Sequence, residues 1–438
     1  MEILETAGKT AGIFLILEQD FMNETIRLYD AQPYSTEFDA EILSAREGLP
    51  GTAEVILSAT LFFPEEGGQT PDRGTLAGFP VIDVQISGDR IITHTLELPS
   101  EDAGAALSSV LVPGQKVHGV IDWDHRYSNM QNHSGEHILS GLLHRQWGYE
   151  NVGFRLSDNT VTLDTSGVLS PEDLLSLEQK ANAVIWSNVS IACEYPPAEI
   201  LQKLDYRSKK EIDGAVRIVT IPGVDVCACC APHVRQTGEI GFIKILAADR
   251  SKDSTRLTFV CGRRALLEME RRQQQLAEAS HLMNEPQETI ASGVKRLLQE
   301  TLSLKETIRN KEQQYIEARL AQIQKDTEGA SSLSETDLFL FESDLSVLSQ
   351  RSFMNALCEM GFRYAGVLVG NDEDGWKYLI GGRFADARIP NSLLRSAFQA
   401  RGGGKPEMVQ GTVVASSSEI LRVLTDELSH EMSKGSTL

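Results

Sequence analysis

The sequence lacks a long hydrophobic run, a surplus of basic residues and a cysteine framework, and each absence excludes a class of protein. The apolar stretch Ala11 to Leu17 is too short to span a bilayer and lies between acidic residues. With 62 acidic residues against 41 basic ones, the net charge of −21 argues against holding nucleic acid or membranes mainly through diffuse positive charge. Six cysteines in 438 residues are too few for a disulfide framework. We therefore expect a cytoplasmic protein with no membrane segment.

Hydrophobic residues make up 41% of the chain, enough for two or three domains, and the predicted fold class is α+β. Residues 1–121 hold short β-type runs between Gly, Pro and Asp turns and predict a β-rich, barrel-like domain. Helical and strand-like patterns alternate over 122–264, which predicts an α+β domain. Residues 265–328 predict a helical, coiled-coil spacer, and 337–438 predict a small C-terminal α/β domain.

Two features of the spacer determine its predicted structure. One is a proline, and the other is a seam, that is, a row of apolar residues along one side of a helix. Pro286 predicts a break between two helices. Beyond it, apolar positions follow steps of four and three residues, although Thr301 and Lys311 interrupt the seam. Both a dimeric coiled coil and a helical hairpin therefore remain open.

Two histidines form the first half of a candidate metal site. Ser128 to Gln131 has the spacing of a capping box, which predicts the start of a helix. His133 and His137 lie one turn apart on that helix, so both imidazoles face the same side. Two ordinary helical histidines would have the same spacing, so this half alone does not establish a site.

The second half comes from a cluster of cysteines followed by a histidine. Cys229 and His233 complete a tetrahedral N/S shell that suits one Zn²⁺ per chain, with Cys227 and Cys230 as alternative thiolates. Four protein ligands favour a structural zinc, because they leave no open position. The ligands nevertheless bridge a domain large enough to fold without a metal clip, which favours a catalytic one.

These motifs resemble those of a known family. His133-Ser-Gly-Glu-His137 and Cys229-Cys-Ala-Pro-His233, followed by Thr237-Gly-Glu-Ile-Gly241, are similar to the zinc motifs of the editing domain of alanyl-tRNA synthetases and of AlaX-type alanyl-tRNA editing proteins. The glycine-rich segment from Phe63 to Gly74 resembles a loop in the β-domain that precedes this editing domain.

Other segments extend the resemblance over nearly the whole chain. Tyr206 to Glu211 and Val216 to Val219 are similar to segments of the long form of AlaX. The cluster Gly402 to Gly411 resembles part of the C-terminal domain shared by alanyl-tRNA synthetases and DHH-type phosphoesterases. A DHH-type phosphodiesterase is excluded, since the sequence contains no Asp-His-His triplet.

The resemblance implies a zinc-dependent, ATP-independent aminoacyl-tRNA hydrolase. Only about sixty residues precede the glycine-rich loop, whereas a synthetase has a large aminoacylation core there, so we expect a trans-editing enzyme. Its expected substrate is tRNA(Ala) mischarged with serine, or with glycine. The alternative is a tRNA-binding or regulatory protein with a structural zinc and no turnover. A homodimer through the spacer and the C-terminal domain is a further expectation.

Glu136, between the two histidines, is the candidate catalytic residue by analogy with helical zinc-protease motifs. Each helical step turns by about 100°, so a structural or solvated Glu is the alternative. The family commonly has Gly-Gly-Thr or Gly-Thr just before the last His, whereas this chain has Cys230-Ala-Pro232, so specificity for serine is less secure than zinc binding.

Candidate substrate or tRNA contacts are predicted in three segments. In the glycine-rich loop, Gly67, Gly68, Gln69 and Arg73 can either approach the CCA end or form a tight β-turn. On the strand after the zinc helix, Phe154 and Arg155 alternate faces, so one of them should meet the pocket.

The third segment is a small basic cluster beside Tyr206. Arg207, Lys209 and Lys210 can meet phosphates there, although neighbouring acidic residues also allow an ordinary solvated charge run.

Overall fold

The structure is a computed structural model that describes residues 24–88, 90–99, 109–208, 215–329 and 332–435. The apolar stretch Ala11 to Leu17 and the predicted contacts Lys209 and Lys210 lie outside these ranges. The chain divides into a first compact unit that ends at Ala277 and a second that runs from Glu278 to Leu438. None of the helices in the described ranges is both long enough and apolar enough to cross a membrane.

The first unit begins with strands that form a closed barrel. The elements are β1 (Ile26–Arg27), α1 (Leu28–Ala31), β2 (Glu37–Glu47), β3 (Thr52–Leu57), β4 (Ala59–Thr60), β5 (Gly74–Leu76), β6 (Phe79–Ser87), β7 (Ile91–Glu97) and β8 (Lys116–Ile121). The barrel order is β2, β3, β7, β6, β5 and β8, and β8 pairs back with β2. Alternate residues point inwards, as shown by Ala53, Val55 and Leu57, all 0% exposed.

The rest of the first unit is built from helices and two further sheets. Its elements are α2 (Trp123–Trp147), β9 (Asn151–Leu156), β10 (Val161–Thr165), α3 (Pro171–Trp186), β11 (Ala192–Glu194), α4 (Ala198–Leu201), β12 (Ile218–Ile221), β13 (Asp225–Ala228), a 3₁₀ turn (Thr237–Ile240), β14 (Ile243–Arg250), β15 (Thr255–Cys261) and most of α5 (Gly262–Met283), which continues past the boundary at Ala277. One sheet has the order β14-β15-β10-β9, and the other has the order β11-β12-β13.

Helix α2 runs through the centre of this part and packs against α3, β9, β13 and β15. It begins at Trp123, five residues before the predicted start at Ser128, because the Asp122 side chain caps it by accepting from the His125 N–H at 3.1 Å. Fifteen of its 25 residues are buried, and many of these are polar. A buried polar stretch requires hydrogen-bonding partners from its surroundings.

A buried ion pair joins α2 to the loop that follows the first part of the barrel. Arg126 and Asp72 are both 0% exposed, and Arg126 Nε lies 2.9 Å from both carboxylate oxygens. Arg126 also donates to the carbonyl oxygens of Leu61 and Pro33. The Asp72 carboxylate accepts the N–H of Phe63 at 2.6 Å. The first turn of α2 and the glycine-rich loop are therefore held in a fixed position relative to each other.

The second unit is a five-stranded sheet with helices on both faces. Its elements are a 3₁₀ turn (Gln287–Thr289), α6 (Ile290–Asp326), β16 (Asp337–Glu342), α7 (Val347–Met360), β17 (Tyr364–Asn371), β18 (Gly375–Gly382), α8 (Arg388–Phe398), β19 (Arg401–Lys405), β20 (Met408–Val413) and α9 (Ser417–Gly435). The strand order is β16-β17-β18-β20-β19, and only β16 and β17 pair in parallel. The predicted α+β class is confirmed.

The glycine cluster at Gly402 to Gly411 forms a tight hairpin between β19 and β20. A side chain at Gly402 or Gly411 would meet the hydroxyl of Tyr378 on the neighbouring strand β18. The glycines therefore permit close packing between neighbouring strands.

The predicted helix break at Pro286 is confirmed, since α5 ends at Met283 and α6 begins at Ile290. Near the end of α6, Ile316 and Ile323 are buried in the second unit. Apolar residues in its first half remain exposed, namely Val294, Leu297, Leu298, Leu302, Leu304 and Ile308. The first half of α6 thus has an apolar face that the second unit leaves uncovered.

Arg126→Met should lower the free energy of unfolding of the first unit by about 3–5 kcal/mol, because it leaves the Asp72 carboxylate buried and unpaired. Urea unfolding followed by the fluorescence of Trp123 and Trp147, at the two ends of α2, measures this change. The control is Arg73→Met, whose exposed pair with Asp158 should contribute only about 0–1 kcal/mol. Equal losses in the two variants would contradict a stabilising role for the buried pair.

Candidate metal centre

Helix α2 presents the first two candidate ligands. His133 and His137 are 3% and 2% exposed, and their stacked rings lie 5.6 Å apart between centroids. The one-turn spacing thus places both imidazoles on the same buried side of the helix, as the sequence predicted.

The turn after β13 presents the other two candidate ligands. The Cys229 N–H donates to the Arg217 carbonyl at 3.0 Å, and Arg217 Nη1 donates to the carbonyls of Cys229 and Ala231 at 3.0 and 2.8 Å. These bonds shape the turn so that Cys229 and His233 face α2. The two halves of the predicted site are brought together, although they are almost a hundred residues apart in the chain.

The four side chains converge on one point. One ligand atom from each of His133, His137, Cys229 and His233 lies within 4.8 Å of the others. Cys229 Sγ is 3.5 Å from His133 Nε2 and 3.4 Å from His233 Nε2. Ligands bound tetrahedrally at about 2.0–2.3 Å would be about 3.3–3.7 Å apart. The spacing therefore fits a single zinc-sized ion.

Each histidine is oriented by a partner on its outer ring nitrogen. The Nδ1 atoms of His133, His137 and His233 lie 2.7 Å from Gln69 Oε1, 2.8 Å from Asp225 Oδ2 and 3.0 Å from Ser134 Oγ. When Nε2 binds a metal, Nδ1 carries the hydrogen and donates it to such an acceptor. The donor set and its supporting hydrogen bonds therefore both suit zinc.

The pKa of the Cys229 thiol is shifted in the opposite direction from the pKa values of Cys227 and Cys230. Burial would raise the pKa of the Cys229 thiol, but His133 and His233 lower it well below its ordinary value of 9.0. By contrast, burial raises the pKa of Cys227 to about 11, and burial also raises the pKa of Cys230. The structure thus favours Cys229 as the thiolate, the choice that the sequence left open.

Two of the histidines have opposite pKa shifts. Burial lowers the pKa of His233 to about 3, against the raising effect of Cys229, so this imidazole is neutral. Burial would also lower the pKa of His137, but hydrogen bonds to Asp225 and Cys229 raise it well above 6.5. Asp225 is thus the strongest favourable partner of His137.

Glu136 lies closer to the centre than its helical direction suggested. It is 4% exposed, and its Oε2 lies 3.9 Å from His137 Nε2. Its Oε1 accepts hydrogen bonds from Ser140 Oγ and from Asn151 Nδ2, the latter at 2.5 Å. These two donors hold one carboxylate oxygen and leave the other turned toward the histidines.

The glycine-rich loop forms a tight turn that contacts the centre. Gly67 and Gly68 have φ values of +62° and +84°, and the Gln69 N–H donates to the Glu66 carbonyl at 3.1 Å. Gly68 packs on the backbone of Phe154, where a side chain would clash. The turn brings Gln69 to His133, so the loop takes part in the centre itself.

The other predicted contacts divide between the centre and the surface. The ring of Phe154 lies 4.9 Å from that of His133, whereas Arg155 is exposed on the opposite face of β9. Arg73 is exposed and pairs with Asp158. Of the two alternating residues on β9, Phe154 is therefore the one that meets the site.

Arg207 makes a contact that the sequence did not predict. Its Nε and Nη2 each lie 2.9 Å from an oxygen of Asp225, and its side chain is only 14% exposed. Instead of presenting its charge to a phosphate, Arg207 supports the carboxylate that orients His137. Its neighbour Tyr206 is half-buried.

Sequence reasoning missed four residues that complete the surroundings of the centre, namely Ser134, Ser140, Asn151 and Asp225. Asp225 and Ser134 are hydrogen-bonded to candidate ligands, and Asn151 is hydrogen-bonded to Glu136. Ser134 lies within the histidine motif and Asp225 lies four residues before Cys229, so both positions offered a signal. Asn151, at the start of β9, offered none.

A cavity of about 440 Å³ lies beside these residues. Asn151, Arg207 and Cys227 line it together with Glu150, Val152 and Ser208. Since Asn151 contacts Glu136 and Arg207 contacts Asp225, the cavity adjoins the side of the centre formed by His137.

Comparison with known proteins agrees with the motifs. Residues 216–259 match the family described as the threonyl and alanyl tRNA synthetase second additional domain. The chain is 34% identical over 249 residues to the alanyl-tRNA editing protein AlaX-L of Pyrococcus horikoshii, covering 56% of this chain and 59% of that protein. It is 33% identical over 251 residues to the alanyl-tRNA editing protein Aarsd1 of Danio rerio, covering 53% and 58% of the two chains.

A longer match extends into the second unit. The alanine–tRNA ligase of Methanothrix thermoacetophila is 30% identical over 407 residues, covering 89% of this chain and 42% of the ligase. In each of these three comparisons the matched region spans less than two thirds of the relative.

The matched segment contains Cys229 and His233, two of the four candidate ligands, so this part of the chain is similar to the second additional domain of threonyl and alanyl tRNA synthetases. Over more than half of its length the chain is similar to alanyl-tRNA editing proteins of the AlaX type, so the resemblance inferred from its motifs is confirmed.

Asp225→Asn should weaken zinc binding about 10- to 100-fold, because the amide is a poorer acceptor for His137 Nδ1–H and a poorer partner for Arg207. Competition with a chromogenic chelator measures the affinity. Asp164→Asn is the matched control, since Asp164 makes a similar bidentate pair with Arg256 away from the centre. Unchanged zinc affinity in Asp225→Asn would show that Asp225 does not support the ligand.

Proposed function

We propose that the chain is a cytoplasmic trans-editing aminoacyl-tRNA deacylase that hydrolyses the ester of tRNA(Ala) mischarged with serine, or with glycine. The observation that carries the proposal is the convergence of three imidazoles, one thiol and the Glu136 carboxylate in one buried site. The similarity to the alanyl-tRNA editing proteins AlaX-L and Aarsd1 supports the same function.

A chemical need for such an enzyme follows from the size of alanine. A site that accepts a methyl side chain cannot strongly reject glycine or serine, since the discrimination available to a small apolar pocket is only about 1–3 kcal/mol. A separate hydrolytic site that admits the wrong product restores accuracy.

His133, His137, Cys229 and His233 would hold the zinc ion. When bound, zinc supplies a positive charge that can polarise an ester carbonyl or acidify water. Gln69, Asp225 and Ser134 keep the Nε2 atoms of the three histidines pointed at the ion. The three histidines are buried and Cys229 is partly buried, which lowers the local dielectric constant and strengthens the electric field at the site.

Glu136 would accept a proton from the attacking water at Oε2. Ser140 and Asn151 donate to Oε1, so they fix the carboxylate and leave Oε2 directed toward His137. The cavity lined by Asn151, Arg207 and Cys227 would receive the aminoacyl group beside this oxygen.

A second candidate function is a tRNA-binding or regulatory protein with a structural zinc. The observation that favours it is the ligand set, because four protein ligands complete a tetrahedron and leave no position for water. The two candidates differ in turnover: the binder would take up zinc and tRNA but release no amino acid.

The deciding experiment incubates the purified chain with alanyl-, seryl- and glycyl-tRNA(Ala), with and without a chelator. We expect release of serine or glycine but not of alanine, and loss of release on chelation. Stability of all three esters in the presence of bound zinc would favour the binding protein.

Glu136→Gln should lower kcat for seryl-tRNA(Ala) by about 10²- to 10⁴-fold, since the amide cannot accept the proton. Zinc content should stay at one ion per chain, because Glu136 is not among the four converging ligands. Glu172→Gln, an exposed Glu to Gln change on α3, is the control and should keep full activity. Full activity in Glu136→Gln would remove Glu136 from the mechanism.

We also propose a homodimer formed through the first half of α6. Leu297 and Leu304 lie on the predicted seam and are 46% and 63% exposed, so a second copy could cover them. Light scattering should show a dimer that the double change Leu297→Lys with Leu304→Lys converts to a monomer. The off-seam control Glu300→Lys should stay dimeric; a monomeric wild-type chain would contradict the proposal.

A further inference from the structure

Of the two polar atoms in the Gln69 side-chain amide, the oxygen makes a hydrogen bond and the nitrogen does not. The residue is 0% exposed, and its Oε1 lies 2.7 Å from His133 Nδ1. Its Nε2 is buried and has no hydrogen-bond acceptor among residues 24–88, 90–99, 109–208, 215–329 and 332–435. A buried amide nitrogen without an acceptor is costly, and such groups are rare outside functional sites.

The orientation of this amide follows from the histidine that it touches. His133 Nε2 faces Cys229 Sγ and the other converging ligands. The hydrogen of a metal-binding imidazole is therefore on Nδ1, so the atom that contacts Nδ1 must be the amide oxygen. The two N–H groups on Nε2 therefore have no acceptor among the described residues.

The backbone around Gln69 holds this side chain in place. Gly68 O accepts the N–H of Leu156 at 2.7 Å, and the N–H of Thr70 donates to the Leu156 carbonyl at 3.2 Å. Asp72, two residues further on, is held by the buried guanidinium of Arg126. The loop therefore cannot easily turn the amide toward solvent to satisfy its nitrogen there. The Thr70 hydroxyl and Glu66 Oε2 are two further buried polar atoms of this loop that have no hydrogen-bond partner among the described residues.

The amide and the Glu136 carboxylate each lie beside one member of the histidine pair. Gln69 contacts His133, whereas Glu136 Oε2 approaches His137 one turn further along α2. The two histidine rings are separated by 5.6 Å. An ester bound across this pair would meet a proton acceptor at one end and a hydrogen-bond donor at the other.

We propose that Gln69 Nε2 donates a hydrogen bond to the carbonyl oxygen of the aminoacyl ester and stabilises the negative charge that forms there. This assignment rests on the proposed deacylase function. Water oxygen bonds to the carbonyl carbon, and its proton passes to Glu136. The bond from that carbon to the ribose oxygen then breaks, and the leaving oxygen takes the proton, which yields a free amino acid and a tRNA hydroxyl.

Two variants separate this role from support of His133. Gln69→Glu keeps an acceptor for His133 Nδ1–H but has no amide N–H, whereas Gln69→Met removes both functions. Gln146→Glu is the control, because Gln146 is an exposed glutamine on α2 whose oxygen accepts from Lys180. Each protein is assayed for zinc affinity by chelator competition and for kcat and KM on seryl-tRNA(Ala).

We expect Gln69→Glu to retain zinc and to keep KM within about threefold, while kcat falls about 10²- to 10³-fold, as for loss of one oxyanion donor. Gln69→Met should show the same loss of kcat and also bind zinc about 10- to 100-fold more weakly. Gln146→Glu should match the wild-type chain in all three measurements.

Wild-type kcat in zinc-loaded Gln69→Glu would overturn the assignment and reduce Gln69 to a support for His133. A loss of kcat that merely follows loss of zinc would overturn it as well. Absence of serine release by the wild-type chain is a different result, because it would defeat the proposed function itself.

Discussion

The candidate centre depends on the hydrogen bonds that hold the outer nitrogens of its three histidines. Their acceptors come from three places: a loop of the barrel (Gln69), helix α2 itself (Ser134) and strand β13 (Asp225). Each bond fixes both the direction of a ring and the position of its hydrogen. The inner nitrogens are thereby turned toward Cys229.

This requirement gives the barrel a chemical role. A barrel that only covered the neighbouring domain would not need a buried glutamine beside a histidine. The Arg126–Asp72 pair and the close packing of Gly68 on Phe154 determine where Gln69 lies. Packing between barrel and helix therefore determines the geometry of the centre. A change that disturbs this packing should also displace the candidate metal ligands.

Charged side chains near the centre form a chain of hydrogen bonds that leads outward from the ligand His137. His137 is bonded to Asp225, and Asp225 is bonded to Arg207. The guanidinium compensates the buried carboxylate, which would otherwise be costly to place in the interior. Glu136 has only neutral donors, Ser140 and Asn151, on one of its oxygens. That difference leaves Glu136 as the buried carboxylate whose second oxygen is directed at the histidine pair, which suits it for accepting a proton.

The sequence by itself determined the candidate ligands, because one-turn spacing on a helix and a short Cys-x-x-x-His turn restrict side-chain direction locally. It also determined the α+β class and the helix break at Pro286, which follow from hydrophobic period and backbone chemistry. Only the tertiary structure decided that Arg207 supports Asp225, that Glu136 reaches His137 and that Gln69 belongs to the centre. These contacts join residues on separate elements, and their formation depends on how barrel, helix and sheets pack, which no local pattern encodes.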